Sequence, residues 1–208
     1  MAATPKSPNA SLRVYEALRH DILERRFLPG ARLSRPDLAD SFGTSQTPVR
    51  EALLRLEREG YVRVKPQAGT VVAPIDPTAV HQAHFLRHAL EIDVVRRLSK
   101  APDRLGSGVQ EMEGASPEQD RAFHRALFSK IGMAELFDSV QPLLAPLHRC
   151  AALRYSSTNA LDEHRDILAR IKAGDPEGAE QAMTSHLVAE VQDLARLQAD
   201  FPDMFSDS

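Results

Sequence analysis

The chain has 208 residues, enough for one large domain or two small ones, and a formal net charge of -3. Its single cysteine, Cys150, excludes an internal disulfide framework. With no apolar run long enough to span a bilayer and no signal peptide, a soluble, cytoplasmic protein without a membrane partner is expected. The charge is uneven: residues 1–75 carry 12 Lys and Arg against 8 Asp and Glu, while the remainder carries 14 against 21. A basic half suits a polyanion such as DNA, and phosphates would repel the acidic half.

Residues 1–10, rich in Pro, Ser and Ala, read as a disordered tail. Leu12 to Arg26 is the first helix, with Val14, Leu18, Ile22 and Leu23 as its buried stripe and Arg13, Arg19, Arg25 and Arg26 solvated. Leu28-Pro29-Gly30 is a turn. Pro36 then suits the first turn of a second helix, Leu38, Ala39 and Phe42 form its apolar face, and Gly43 stops it. Ser45 or Thr47 caps the third helix, which carries Pro48 in its first turn and Val49, Leu53 and Leu56 inward, and which ends at Glu59-Gly60. Tyr61 to Val64 and Thr70 to Val72 are short strands around Pro66-Gln67-Ala68-Gly69. Helix, glycine turn, helix and hairpin make a winged helix-turn-helix over residues 11–73. The N-terminal end of its third helix is expected in the major groove, where Ser45, Gln46, Thr47 and Arg50 reach bases and phosphates. Arg55, Arg58 and Arg63 read as solvated charge.

Residues 74–77 form a proline-bearing linker, and every segment of residues 78–198 reads as helical, giving an antiparallel all-α bundle. The fold class is therefore mainly α, with one small β-hairpin wing. Thr78 to Leu98 buries Val80, Ala83, Leu86 or Arg87, Leu90, Val94 and Leu98. Residues 101–115 are loop or a short helix, and Ser116 caps a helix through Lys130. Ala134 to Tyr155 is interrupted by Pro142 and Pro146, Asn159 to Ala173 is a further helix, and the last runs from Pro176 to Gln198. Residues 199–208 are a C-terminal tail.

Asp120 and His124 stand four apart, so they share a helix face with Leu127 and Ile131 and point inward. His164 shares the inner stripe of its helix with Leu161 and Ile171, and His186 shares that of the last helix with Ala179, Met183 and Glu190. Three inward histidines and one carboxylate suit a divalent transition metal such as zinc or nickel. Core histidines that are simply hydrogen-bonded fit the same pattern. His81, His84 and His88 read as partly exposed, and His20 and His148 as surface or boundary residues.

Residues 12–72, through PDLADSFGTSQTPVREALLRLEREGYVRVKPQAGTVV, resemble the DNA-binding domain of the GntR family of bacterial transcription regulators. The resemblance assigns DNA contacts to Ser45, Gln46, Thr47, Arg50 and the wing-tip Gly69. The family's usual arginine is replaced by Gln46, which implies a different base preference. Its usual Glu-Arg is replaced by Arg35-Pro36, which leaves Arg35 for a phosphate. DRAFHRALF, DEHRDIL and AMTSHL resemble the three metal segments of the FadR-like, FCD-type effector domain. That resemblance implies a metal on Asp120, His124, His164 and His186, with positions open for a small carboxylate. It also places Arg87 in the effector pocket, although Arg87 equally stands at the right spacing to pair with Glu91.

Two function classes follow. The first is a regulator, by family resemblance a repressor, that binds a palindromic operator as a homodimer and responds to a small organic acid. The second is a metal-dependent hydrolytic enzyme, for which Glu190 is the one available inward base. A DNA-binding half has no use in such an enzyme, so the regulator is the stronger reading. A regulator with a purely structural metal is a third form of it.

Overall fold

A computed structural model describes residues 10–106, 109, 117–153, 160–189 and 191–206. Two compact units emerge, one holding residues up to Ile75 together with the segment from Asp203, the other running from Asp76 to Pro202.

The first unit begins with α1 (Ala10–Leu23), which buries Val14, Tyr15, Leu18 and Ile22. It ends three residues before the expected Arg26, and Arg25 adopts a φ of 59° in the turn that follows. The turn at Leu28 closes through Ala31 N–H donating to Leu28 O at 3.0 Å. The helix-turn-helix is α2 (Arg35–Ser41) and α3 (Gln46–Arg58), separated by Gly43 at φ 59°. That left-handed φ is where a residue without Cβ costs least. The wing is β1 (Val62–Lys65) antiparallel to β2 (Gly69–Val72), with Val62 opposite Val72 and Lys65 opposite Gly69.

A polar network ties α1 to the end of α3. Tyr15 Oη donates to Glu59 Oε2 at 2.6 Å, and Arg55 Nε donates to Glu59 Oε1 at 3.1 Å. Arg55 also lies 3.7 Å over the Tyr15 ring, and Arg19 Nε donates to Tyr61 Oη at 3.2 Å. Burial and the Glu59 carboxylate push the Tyr15 phenol well above its ordinary pKa. Arg19 and Arg55, expected as solvated charge, are thus engaged in the frame that holds α3. Within the expected C-terminal tail, residues 204–206 pair with Ile75. Ile75 N–H donates to Met204 O at 2.8 Å, Ser206 N–H donates to Ile75 O at 2.9 Å, and Ile75 and Phe205 form a parallel bridge.

The second unit opens with α4 (Pro77–Ser99), whose N-cap Asp76 accepts from Thr78 N–H at 2.8 Å. α5 (Pro117–Lys130) follows; its expected cap Ser116 and most of residues 107–116 lie outside the described residues. The segment expected as one interrupted helix divides at its prolines into α6 (Ala134–Val140), a 3-10 turn (Gln141–Leu144) and α7 (Ala145–Ala151). Pro142 and Pro146 each sit in a first turn, where the missing N–H leaves no bond broken.

α8 (Ala160–Lys172) and α9 (Pro176–Val188) come next. The last helix does not run to Gln198 as one piece: it stops at Val188, and α10 (Leu194–Asp200) starts after a turn. Val94, Val95 and Leu98 of α4, Phe123 and Leu127 of α5, Ile167 and Ile171 of α8, and Met183 and Leu187 of α9 form the shared core. Each fully buried aliphatic or aromatic side chain there stabilises the bundle by about 1.5–3 kcal/mol. That core is what brings α4, α5, α8 and α9 together around one point.

Candidate functional site

That point is a cluster of Asp120 and His124 from α5, His164 from α8 and His186 from α9. One ligating atom from each lies within 4.8 Å of all the others, and the three histidines are buried. Asp120 Oδ1 stands 3.5 Å from His124 Nε2, 3.2 Å from His164 Nε2 and 3.6 Å from His186 Nε2. His124 Nε2 and His186 Nε2 are 3.1 Å apart. The spacing of Asp120 and His124 was visible in the chain; the meeting with two further helices is the work of the core.

Outer partners hold these side chains from behind. His124 Nδ1 meets Glu91 Oε2 of α4, and His186 Nδ1 meets Glu163 Oε2 of α8 at 2.8 Å. With His186 Nδ1–H donated to Glu163 and His124 Nδ1 paired with Glu91, both Nε2 atoms turn toward the cluster. Arg87 Nε donates to Glu91 Oε1 at 2.8 Å, and its Nη2 lies 3.4 Å from Asp120 Oδ2, leaving Oδ1 to face the histidines. His164 stacks on Phe123 with ring centroids 3.8 Å apart and an interplanar angle of 12°.

Arg87, not Leu86, therefore takes the inward place on α4, and its i,i+4 pair with Glu91 forms as the spacing allowed. Glu91 and Glu163 are the residues that reading the sequence for ligands passed over as site members. The signals were there, an i,i+4 partner for Arg87 and a carboxylate next to His164, but neither spacing says which ring would be met.

The electrostatics show what the cluster needs. Burial works against a charged His124, yet Glu91 and Asp120 outweigh it and raise its pKa to about 9. Burial likewise works against a charged Glu91, but His124 and Arg87 hold it down at about 2. Asp120 is held well below the ordinary range, with His124 the main opposing influence to burial. His164 is pushed down, chiefly by burial.

If His124 and His186 were both neutral with their Nδ1 protons on carboxylates, two Nε2 lone pairs would face each other at 3.1 Å. A proton on His124 relieves that clash, and a cation shared by the lone pairs relieves it equally. Three imidazoles, one carboxylate and outer hydrogen bonds are a donor set that fits a divalent transition metal.

The first unit presents a different surface. Arg35, Ser45, Gln46, Thr47, Arg50 and Gly69 are all exposed. Ser45 is the N-cap residue of α3, but its hydroxyl makes no cap bond and is open to a partner. Gly69 has a φ of 77°, a conformation that a residue with Cβ adopts only under strain.

Comparison with known proteins gives both halves a family. Residues 10–72 match the bacterial regulatory proteins of the gntR family, and residues 82–189 match the FCD domain. The chain belongs to the GntR family. It joins that family's DNA-binding domain to an FCD domain, the architecture expected of the FadR-like branch.

A Streptomyces ambofaciens protein, named an uncharacterized HTH-type transcriptional regulator in unstable DNA locus, is 32% identical over 212 residues. That alignment covers 93% of this chain and 88% of the relative. The HTH-type transcriptional repressor RspR of Escherichia coli K12 is 26% identical over 212 residues, covering 93% and 92%. The fold is shared with E. coli McbR/YncC at a TM-score of 0.67 and 24% identity, covering 97% of this chain and 100% of that one.

This GntR-family chain is thus a DNA-binding transcription regulator and not an enzyme, since its family and named relatives are regulators. Glu190, the base that an enzyme reading required, lies outside the described residues. Among the described residues no helix is long and apolar enough to cross a membrane.

Proposed function

We propose that the chain is a homodimeric, ligand-responsive repressor that binds a palindromic operator and senses a small organic acid beside a divalent metal. The observation that carries the sensing half is the convergence of Asp120, His124, His164 and His186 within 4.8 Å. In this reading those four residues hold zinc or nickel, which supplies a Lewis-acidic centre for an anionic ligand. Arg87, in contact with Asp120 Oδ2 at 3.4 Å, gives the same anion a guanidinium to pair with.

The DNA half rests on Ser45, Gln46, Thr47 and Arg50 around the exposed start of α3, with Gly69 at the wing tip and Arg35 placed for a phosphate. RspR and a Paenarthrobacter nicotinovorans relative named as a probable D-xylose utilization operon transcriptional repressor support repression as the direction. A two-fold dimer meets a two-fold operator, and the acid would act by favouring one arrangement of the paired heads over the other. Domain limits of 11–73 for the DNA-binding part and 78–198 for the sensing part accompany this reading.

The test is metal content of the purified protein by mass spectrometry, with binding to DNA from upstream of its own gene before and after chelation. Bound metal with site-specific, salt-sensitive DNA binding is the expected result. Specific DNA binding by a protein that takes up neither zinc nor nickel would overturn the sensing half, and metal without any specific DNA binding would overturn the other.

A further inference from the structure

The two carboxylates behind the cluster differ in kind. Glu91 is buried, with 3% of its side chain exposed, and both of its oxygens are used, one by His124 and one by Arg87. Glu163 keeps 37% of its side chain exposed, and its bond is to His186 Nδ1. His124 is therefore braced by a carboxylate that cannot move without breaking its own pair with Arg87. Among the described residues, His186 Nδ1 is braced by one hydrogen bond, which water can compete for. α8 supplies both Glu163 and His164 from consecutive positions, so one helix carries a ligand and the brace of another ligand.

Building on the metal reading above, we infer that Glu163 is a positioning residue for His186. His186 is then the arm that yields when the metal enters or leaves, and Glu163 sets how long the metal stays. Losing the brace frees the His186 ring to rotate, and its Nε2 is then present at the cluster only part of the time. Loss of such an outer partner typically weakens metal binding about 10–100-fold.

The experiment uses the full-length protein with Zn²⁺ alone, measuring affinity against a chromophoric chelator and the rate of chelator-driven release. Glu163→Ala, Glu163→Gln and Asp162→Ala are compared. The Glu163→Gln side chain is uncharged, but its amide oxygen still accepts from Nδ1–H. Asp162 is 77% exposed and paired with Arg165 at 3.0 Å, so Asp162→Ala removes the same charge one residue away without touching His186. Expected are a roughly 10–100-fold loss for Glu163→Ala, mainly as faster release, most of the affinity back in Glu163→Gln, and little change in Asp162→Ala. Equal losses in all three, or Glu163→Gln as weak as Glu163→Ala, would show a charge effect only and overturn the inference.

Nitrogen-15 NMR of the metal-free protein separates this from failure of the metal reading. His186 should carry its proton on Nδ1 in the wild type and lose that preference in Glu163→Ala. A wild-type His186 protonated on Nε2 alone would overturn the positioning role whether or not zinc binds. Thermal unfolding of metal-free Glu163→Ala should match the wild type, because a part-exposed single hydrogen bond contributes little to the fold.

Discussion

The two units solve the problem of presenting polar groups in opposite ways. In the first, the groups proposed to meet DNA are exposed, and the polar network lies elsewhere, where Tyr15, Glu59 and Arg55 hold the end of α3. In the second, the groups proposed to hold a metal are largely buried, and every one of Asp120, His124 and His186 is held by a further side chain. A macromolecular partner brings its own surface and covers exposed contacts on binding. An ion must find its donors already dehydrated and aimed. The difference predicts that mutations of the exposed groups in the first unit change binding with little effect on the fold, while mutations of the buried groups in the second couple binding to stability.

The largest expected effect breaks the brace itself. Glu91→Leu removes the buried carboxylate between Arg87 and His124, leaves them the more distant Asp120, and should destabilise the protein by about 3–5 kcal/mol, measured by denaturant unfolding of the metal-free form. A loss near zero would mean that the buried network is no more costly to break than a surface pair. Next, His164→Ala should abolish stoichiometric metal while leaving a folded bundle; full metal content in the variant would remove His164 from the ligand set.

In the first unit, Arg50→Ala should weaken specific DNA binding by about 1–3 kcal/mol with an unchanged melting temperature. Unchanged affinity would end its role as a contact.

A pH series sharpens the comparison further. The folded pKa of His124 is raised to about 9 from an ordinary 6.5, so its contribution to metal-free stability is full below pH 6.5 and is lost as pH rises through 9. Metal uptake needs His124 Nε2 without its proton, so affinity should rise over the same window. Metal-free melting temperature and metal affinity should therefore move in opposite directions between pH 6.5 and 9, and parallel movement would contradict the assignment. The smallest effect belongs to Gln46→Arg, which should shift the base preferred in selection from random DNA rather than the overall affinity. An identical selected motif would show that residue 46 does not read bases.

Much of the first unit was legible because its signals are local. Pro36, Gly43, Pro48 and Gly60 punctuate helices by backbone chemistry alone, and Pro66 to Gly69 marks the wing's turn between two strands of four residues. In the second unit the helices were legible and some of their ends were not. The stretch from Ala189 to Asp193 contains no proline or glycine, so nothing in its composition announced the break between α9 and α10. Leu86 and Arg87 are neighbours on the helix, and periodicity could not say which one faced inward.

By itself the sequence determined the winged helix-turn-helix, the helical second half and the inward placement of Asp120, His124, His164 and His186, because each follows from spacing along one element. Only the tertiary structure decided that these four side chains share a point, and that Glu91, Glu163 and Arg87 stand behind them. Those contacts join α4, α5, α8 and α9 across up to 66 positions of chain, as between Asp120 and His186. Hydrogen-bond partners at such separation are set by how helices pack, and no periodicity within one helix encodes them.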